Sequence, residues 1–363
     1  MQLFINGRFL TQQVTGVQRY ARELVQAIDT LIAADELPNP FEAITVLVPP
    51  GTEISLSLSN LPIQAVGRWQ GHLWEQIDLP RYSRGGLLVN LGNTAPLGKR
   101  DQVLTLHDVS IYAVPEAYSW AFRAWYGLLF HQLSRKVLRL LTVSQFSKRE
   151  IAHHLGIPLD RVKVIYEGRE HMQRISPDPS ILRQAQLENQ PFVLAVSSLS
   201  PHKNFRAVVQ ALPYLSDLSD LKVVIIGGRN RQVFAAADDL AQSQQIVRLG
   251  YIGDRQLKAL YESAWGFIHA SYYEGFGLTP LEAMVCGCPV LVSKAASMPE
   301  VCGDAALYFD PSDPQAIAHQ VRRLFLNPAL RAELRQKAMA QAQKFSWLTC
   351  ARETWAVLQG LVP

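Results

Sequence analysis

Ser271-Tyr272-Tyr273-Glu274-Gly275-Phe276-Gly277-Leu278-Thr279-Pro280-Leu281-Glu282 is the most informative run of this 363-residue chain. An apolar run, Trp265–Ala270, ends just before it and reads as a strand. Two glycines follow, and the pattern predicts a helix opening at Thr279 with Pro280 in its first position. A helix N-terminus offers unpaired N–H groups and partial positive charge. Glycines before it let an anion approach closely, so the loop reads as a diphosphate cradle. Two plainer readings stand beside that one. Thr279-x-x-Glu282 matches a capping box, and the glycines fit an ordinary tight turn.

The same strand–loop–helix order repeats in both directions. Upstream, the apolar runs are Leu3–Ile5, Ile44–Val48, Ile63–Val66, Leu87–Leu91, Val103–Leu106, Leu140–Val143 and Val162–Ile165. Amphipathic stretches such as Val17–Leu31 and Ala121–Leu138 separate several of them. After the polar stretch Gly168–Asn189 the alternation restarts with Phe192–Val196, Val223–Ile226, Ile246–Leu249, Pro289–Val292 and Ala306–Phe309. Such alternation implies right-handed crossovers and parallel sheets covered on both faces. The expected fold is α/β, with two Rossmann-like, doubly wound domains at 1–170 and 171–346. Residues 347–363 read as a terminal helix.

Composition sets limits. Hydrophobic residues are 48% and charged residues 18%, enough apolar material for two cores. A net charge of +4 suits a nucleotide diphosphate or an acidic membrane face and is too weak for nucleic acid. Cys286, Cys288, Cys302 and Cys350 lack zinc or C-x-x-C spacing and read as buried hydrophobes. Met1-Gln2-Leu3-Phe4-Ile5 reads as a strand rather than a secretion signal, and no run approaches a membrane span. A cytoplasmic location is expected.

Ligands of open α/β sheets sit at strand carboxyl ends, which selects four more loops. Ser197-Ser198-Leu199-Ser200-Pro201-His202-Lys203-Asn204 places Lys203 near a helix start with Asn204 as its N-cap. A cation there neutralises a leaving diphosphate, whereas alone it reads as a solvated lysine. Gly16 precedes the helical pattern through Tyr20 and Leu24, without dinucleotide-type G-x-G-x-x-G spacing. His107, with Asp108 beside it, ends a buried-type strand and suits orienting a hydroxyl or taking a proton, or a structural hydrogen bond. Tyr251 and Ile252 follow the strand Ile246–Leu249, where they border a base or make a turn.

Together these loops resemble the group 1, or family 4, retaining glycosyltransferases of GT-B fold. The resemblance spans nearly the whole chain. Its most specific element is E-x7-E, Glu274 to Glu282; Pro201-His202-Lys203-Asn204, Thr15-Gly16-Val17-Gln18-Arg19-Tyr20, Val143-Ser144-Gln145-Phe146-Ser147-Lys148 and Val164-Ile165-Tyr166-Glu167-Gly168 add to it. The resemblance implies that Lys203 and the amides of Phe276, Gly277 and Leu278 hold the donor diphosphate, with Ser198 and Thr279 nearby. It implies that Glu282 accepts from ribose hydroxyls and Glu274 contacts the transferred sugar near its anomeric carbon. His107 would line the sugar pocket, Gly16 would admit the phosphate or sugar, and Tyr251 and Ile252 would border the base. The terminal helix would return to the first domain. Two departures stand out. Ser197-Ser198 replaces an arginine that many members carry, and Glu167-Gly168 replaces the usual Asn-Gly.

The implied reaction is metal-independent hexosyl transfer with retention, using a nucleotide sugar as substrate and no cofactor. D-x-D, the metal clamp of another glycosyltransferase class, is absent from the sequence. Ile5-Asn6-Gly7-Arg8, Trp74-Glu75-Gln76 and His107-Asp108 are most similar to bacterial mannosyltransferases of surface-polysaccharide assembly. GDP-mannose is therefore the expected donor, with UDP-glucose and other nucleotide sugars behind it, and a growing glycan, free or lipid-linked, the expected acceptor. Trp120–Leu141 mixes aromatics with arginines and reads as a core helix or as a basic amphipathic helix for a membrane face. A nucleotide-sugar isomerase or hydrolase, and a non-catalytic binding relative, are the alternatives.

Overall fold

The computed structural model describes residues 1–196, 200–227 and 245–362. The chain divides into two compact units, Met1–Gly168 with Ser346–Pro363, and Arg169–Phe345.

The first unit is built on a parallel sheet of order β3-β2-β1-β4-β5-β6-β7. Its strands are β1 (Leu3–Asn6), β2 (Ile44–Val48), β3 (Ile63–Ala65), β4 (Leu87–Asn90), β5 (Gln102–Thr105), β6 (Arg139–Thr142) and β7 (Val162–Val164). Register places Ile5 between Val46 and Val89. Strands buried on both faces read as continuous apolar runs, which is why β1, β4 and β5 are legible without alternation. Helix α1 (Gly16–Ala33) follows β1, and α2 (Trp120–Lys136) precedes β6. Leu129, Phe130 and Leu133 of α2 are buried with Leu104, Leu106 and Leu140.

The second unit has a parallel sheet of order β10-β9-β8-β11-β12-β13 among the described residues. Its strands are β8 (Phe192–Val196), β9 (Lys222–Ile226), β10 (Ile246–Gly250), β11 (Gly266–His269), β12 (Val290–Ser293) and β13 (Ala306–Phe309). Helix α3 (Phe205–Gln210) follows β8, and α4 (Leu278–Val285) follows β11. In both sheets the strand order reverses beside the first strand of the unit. Those switch points, β1/β4 and β8/β11, open crevices at the carboxyl ends where ligands bind.

Most of the stretch that reads as a connection, Gly168–Asn189, packs into the second unit. Met172, Ile181 and Leu187 are buried, and Lys258 Nζ donates to the carbonyls of Met172 (2.9 Å) and Ile175 (2.7 Å). The return at Ser346 leads into α5 (Trp347–Gln359), which packs on α1. Trp347 lies edge-on to Tyr20 at 5.9 Å, and Trp355 Nε1 donates to Pro38 O at 2.8 Å. A Cβ on Gly168 would fall 2.0 Å from Trp347 N, so only glycine fits where the outgoing chain meets the returning one. The four cysteines are buried thiols outside any disulfide, and burial pushes the Cys302 thiol up to about 12.

Candidate active site

Helix α4 opens two residues earlier than the sequence suggests, with Leu278 rather than Pro280 in its first position. Gly277 is its N-cap at φ +104°, and Thr279 and Pro280 lie in the first turn. Thr279 therefore caps nothing, and the capping-box reading of Thr279 and Glu282 fails. A left-handed cap excludes most side chains, and a Cβ on Gly277 would also lie 2.3 Å from Met298 Cε. The loop before it is tied from behind. Ser297 Oγ lies 2.7 Å from Phe276 O and 3.0 Å from Glu274 O, and Ser293 Oγ donates to Ser271 O at 2.6 Å. The amides of Leu278 and Thr279 precede the first intrahelical donor, Leu281 N, and point out of the helix start.

Lys203 comes from the neighbouring loop after β8. Asn204 stands at the N-terminus of α3 but in left-handed conformation, φ 56°, without a side-chain capping bond. Its amide instead donates to Ala270 O (3.2 Å) and Pro311 O (2.7 Å), tying the ends of β8, β11 and β13 together. Tyr272 N donates to His202 O at 2.8 Å and joins the two loops directly. Lys203 and Glu274, 71 residues apart in sequence, meet at the switch point, where the ammonium donates to Glu274 Oε1.

Glu274 Oε1 also accepts from Ser271 Oγ at 3.1 Å, and His269 Nε2 lies 3.0 Å away, at ion-pair distance but outside good hydrogen-bond alignment. Burial alone pushes the Glu274 carboxyl up. The Lys203 ammonium and the His269 imidazole outweigh burial and hold it well below the usual carboxylate range. The group is thus an anion at every physiological pH. It suits stabilising positive charge and accepting from a hydroxyl, not donating a proton. Glu282 lies deeper, on α4, where Oε1 sits 2.9 Å from His171 Nε2 of the short helix Glu170–Arg174. His269 and His171 escaped the sequence reading. A polar residue ending an apolar strand was the available signal for His269; no local signal marks His171.

Tyr251 and Ile252 follow β10 at the sheet edge, and Tyr251 is 77% exposed. Ser198 lies outside the described residues.

In the first unit, His107 is buried beyond β5. Nε2 lies 3.0 Å from Leu91 O, which can only accept, so that nitrogen carries hydrogen. Nδ1 faces Glu167 Oε1 at 3.6 Å, and Tyr20 packs edge-on at 4.6 Å. Glu167, the departure from the usual Asn-Gly, thus has a physical role against His107. Gly16 begins α1 after Thr15, whose N–H donates to Gln18 Oε1 at 3.2 Å, and a Cβ on Gly16 meets nothing within 4 Å.

Two motifs that look separate in sequence join at the β1/β4 switch point. Arg8 donates to Glu75 Oε2 (2.9 Å) and Thr94 Oγ1 (3.1 Å), while Glu75 Oε1 accepts from Asn6 (3.1 Å) and Thr94 (2.8 Å). A π-helical turn, Trp74–Asp78, carries Glu75 into the core. Burial pushes the Glu75 carboxyl up, but bonds from His72, Arg8, Thr94 and Asn6 leave it lowered. The network holds Arg8 in one orientation beside Gln12, Leu91 and Gly92.

With this geometry in place, likeness to known proteins takes on meaning. The description "Glycosyl transferases group 1" matches residues 179–343, and "Glycosyltransferase Family 4" matches residues 14–171. The O-antigen chain mannosyltransferase B of Escherichia coli is 33% identical over 261 residues, 69% of this chain and 68% of its own length. The O-antigen chain mannosyltransferase RfbU of Salmonella typhimurium is 26% identical over 249 residues, 68% of this chain and 67% of its own. The Anabaena protein Alr3699/HepE, solved in complex with UDP-glucose, aligns with a TM-score of 0.74 at 19% identity over 99% of both chains. Two parallel-sheet α/β units and this likeness identify the fold as GT-B. This chain belongs to the group 1, family 4 glycosyltransferases.

Proposed function

We propose that this glycosyltransferase moves mannose from GDP-mannose to a glycan acceptor in cell-surface polysaccharide synthesis, with retention and without a metal or cofactor. The observation that carries the reading is the meeting of Lys203 and Glu274 at the β8/β11 switch point, beside the start of α4. In glycosyl transfer the bond from the anomeric carbon to the diphosphate oxygen breaks, and a bond to an acceptor oxygen forms. Negative charge builds on the diphosphate while positive charge builds on the sugar. Lys203 and the Gly277–Thr279 amides supply fixed positive potential for the first. Glu274, held ionised, faces the second. The acceptor proton passes to the leaving phosphate, which needs no protein base. Glu282, held by His171, accepts from the ribose hydroxyls, and Tyr251 and Ile252 border the base. The names of the mannosyltransferase relatives support mannose, and the UDP-glucose complex of HepE supports a nucleotide sugar. The acceptor is a growing glycan, free or lipid-linked.

The experiment incubates the protein with a panel of nucleotide sugars without added metal, following thermal stabilisation and nucleotide release. GDP-mannose is expected to raise the melting temperature and release GDP slowly, with Lys203→Ala and Glu282→Ala losing both. Binding indifferent to both substitutions overturns the site; a preference for another donor overturns GDP-mannose alone.

A further inference from the structure

Three donors converge on one oxygen of Glu274. Lys203 Nζ donates to Oε1, Ser271 Oγ donates to it at 3.1 Å, and His269 Nε2 stands 3.0 Å from it. Oε2 has no hydrogen-bond partner among the described residues, and the side chain keeps 14% of its exposure. A carboxylate oxygen offers about two lone-pair directions, and the lysine and the serine take them. The imidazole is left over: Nε2 is buried and makes no aligned hydrogen bond. It carries hydrogen, because the ionised oxygen it faces can only accept. A buried N–H in that state has lost its hydration and gained no full bond in return.

His269 is held where it stands. It ends β11, pairs with Val292 of β12, and shares a sheet face with Phe267, whose ring lies 6.0 Å away. Phe267 in turn stands edge-on to Tyr261 of the helix Asp254–Ser263 at 5.5 Å. His269 is 3% exposed, and Glu274 is the ionisable group within ion-pair reach of it among the described residues. Lys203 is the opposite kind of partner. It is a long, flexible side chain on a loop, it keeps 21% of its exposure, and it is the cation a diphosphate would attract.

We propose that His269 is a positioning residue that takes over Glu274 when a diphosphate draws Lys203 away, and so keeps the carboxylate against the transferred sugar. The proposal rests on the donor-site reading above. One ammonium cannot serve the leaving diphosphate and hold Glu274 as it does in the structure. With the ammonium gone, Ser271 alone would let the carboxylate swing into the crevice. A small turn of Oε1 toward Nε2 lines up the third donor instead, and Oε2 stays open to the sugar. A partner fixed in the sheet keeps the charge preorganised while the mobile cation does other work.

The full chain is labelled with ring-15N histidine, and the His269 signal is identified by its loss in His269→Gln. The Nε2 signal should move when GDP saturates the wild type, and should move the same way in Lys203→Met with no nucleotide present. Slow GDP release from GDP-mannose supplies the second readout. In His269→Phe, which keeps the ring shape without a donor, kcat should fall roughly tenfold at unchanged KM. His269→Gln, whose amide can replace the Nε2 donor, should restore most of it. A signal unmoved in Lys203→Met or in the GDP-bound protein overturns the proposal alone, as do phenylalanine and glutamine variants with equal kcat. A signal that moves in Lys203→Met while no nucleotide binds overturns the donor-site reading and the proposal with it.

Discussion

Substituting the two partners of the Lys203–Glu274 pair should change nucleotide affinity in opposite directions. The pair is self-neutralising in the structure, since Glu274 accepts from the ammonium that would meet a diphosphate. Lys203→Met removes a charge-assisted bond to phosphate, a loss of about 1.5–3 kcal/mol or roughly 10- to 150-fold in GDP affinity. Glu274→Gln leaves Lys203 uncompensated and aimed into the crevice. Two unit charges about 4 Å apart interact by roughly 4 kcal/mol at an effective dielectric of about 20. The side chains keep 21% and 14% of their exposure, so water recovers most of that. A net gain of roughly 1 kcal/mol, about fivefold tighter GDP, is expected. Mannosyl transfer should nevertheless fall in both variants. Titration calorimetry with GDP, without metal, reads both signs. If Glu274→Gln weakens GDP as much as Lys203→Met does, the carboxylate is not competing for the lysine and the electrostatic reasoning fails.

Other outcomes follow from the same geometry. Gly168→Ala forces a Cβ against the backbone of Trp347, which no rotamer relieves, and should cost about 3 kcal/mol, seen as a lowered urea midpoint. Ser297→Ala leaves the Glu274 and Phe276 carbonyls without their hydroxyl, and should cost about 1–3 kcal/mol and weaken nucleotide binding; a midpoint within error of wild type refutes it. Because Glu274 is held ionised below its unfolded value of 4.5, its stabilising contribution is complete above that pH and is lost as pH falls below it. Wild-type stability between pH 6 and 3 should therefore decline more steeply than that of Glu274→Gln. Glu167→Ala and His107→Ala should be non-additive in unfolding by about 0.5–3 kcal/mol, and additivity would break the proposed contact.

The two sheets were legible because buried parallel strands leave continuous apolar runs; every run read as a strand, from Leu3–Ile5 to Ala306–Phe309, overlaps one of the thirteen strands described, with ends differing by a residue in several. The E-x7-E loop and Lys203 were legible as pieces. Their meeting was not, since it depends on β8 lying beside β11 rather than on any spacing along the chain. Long-range partners explain the remaining misses. Glu282 looked like half of a capping box until His171, 111 residues away, supplied its partner. Asn204 resembled a cap by type, but its left-handed backbone turns the amide toward two strand ends. Glu167 had no local partner in sequence; the group it faces is His107, on another loop of the same unit.

The seam at Gly168 and Trp347 also bears on how the molecule is made. The first unit is interrupted in sequence, because its helix α5 is translated only after the whole of Arg169–Phe345. During synthesis the second unit closes on contiguous chain, while the first waits with the α1 surface that receives α5 uncovered. Premature termination after Phe345 would thus cripple the first unit and spare the second. Nascent chains are most vulnerable to aggregation in that interval, through Tyr20 and Phe41, which Trp347 and Trp355 later cover.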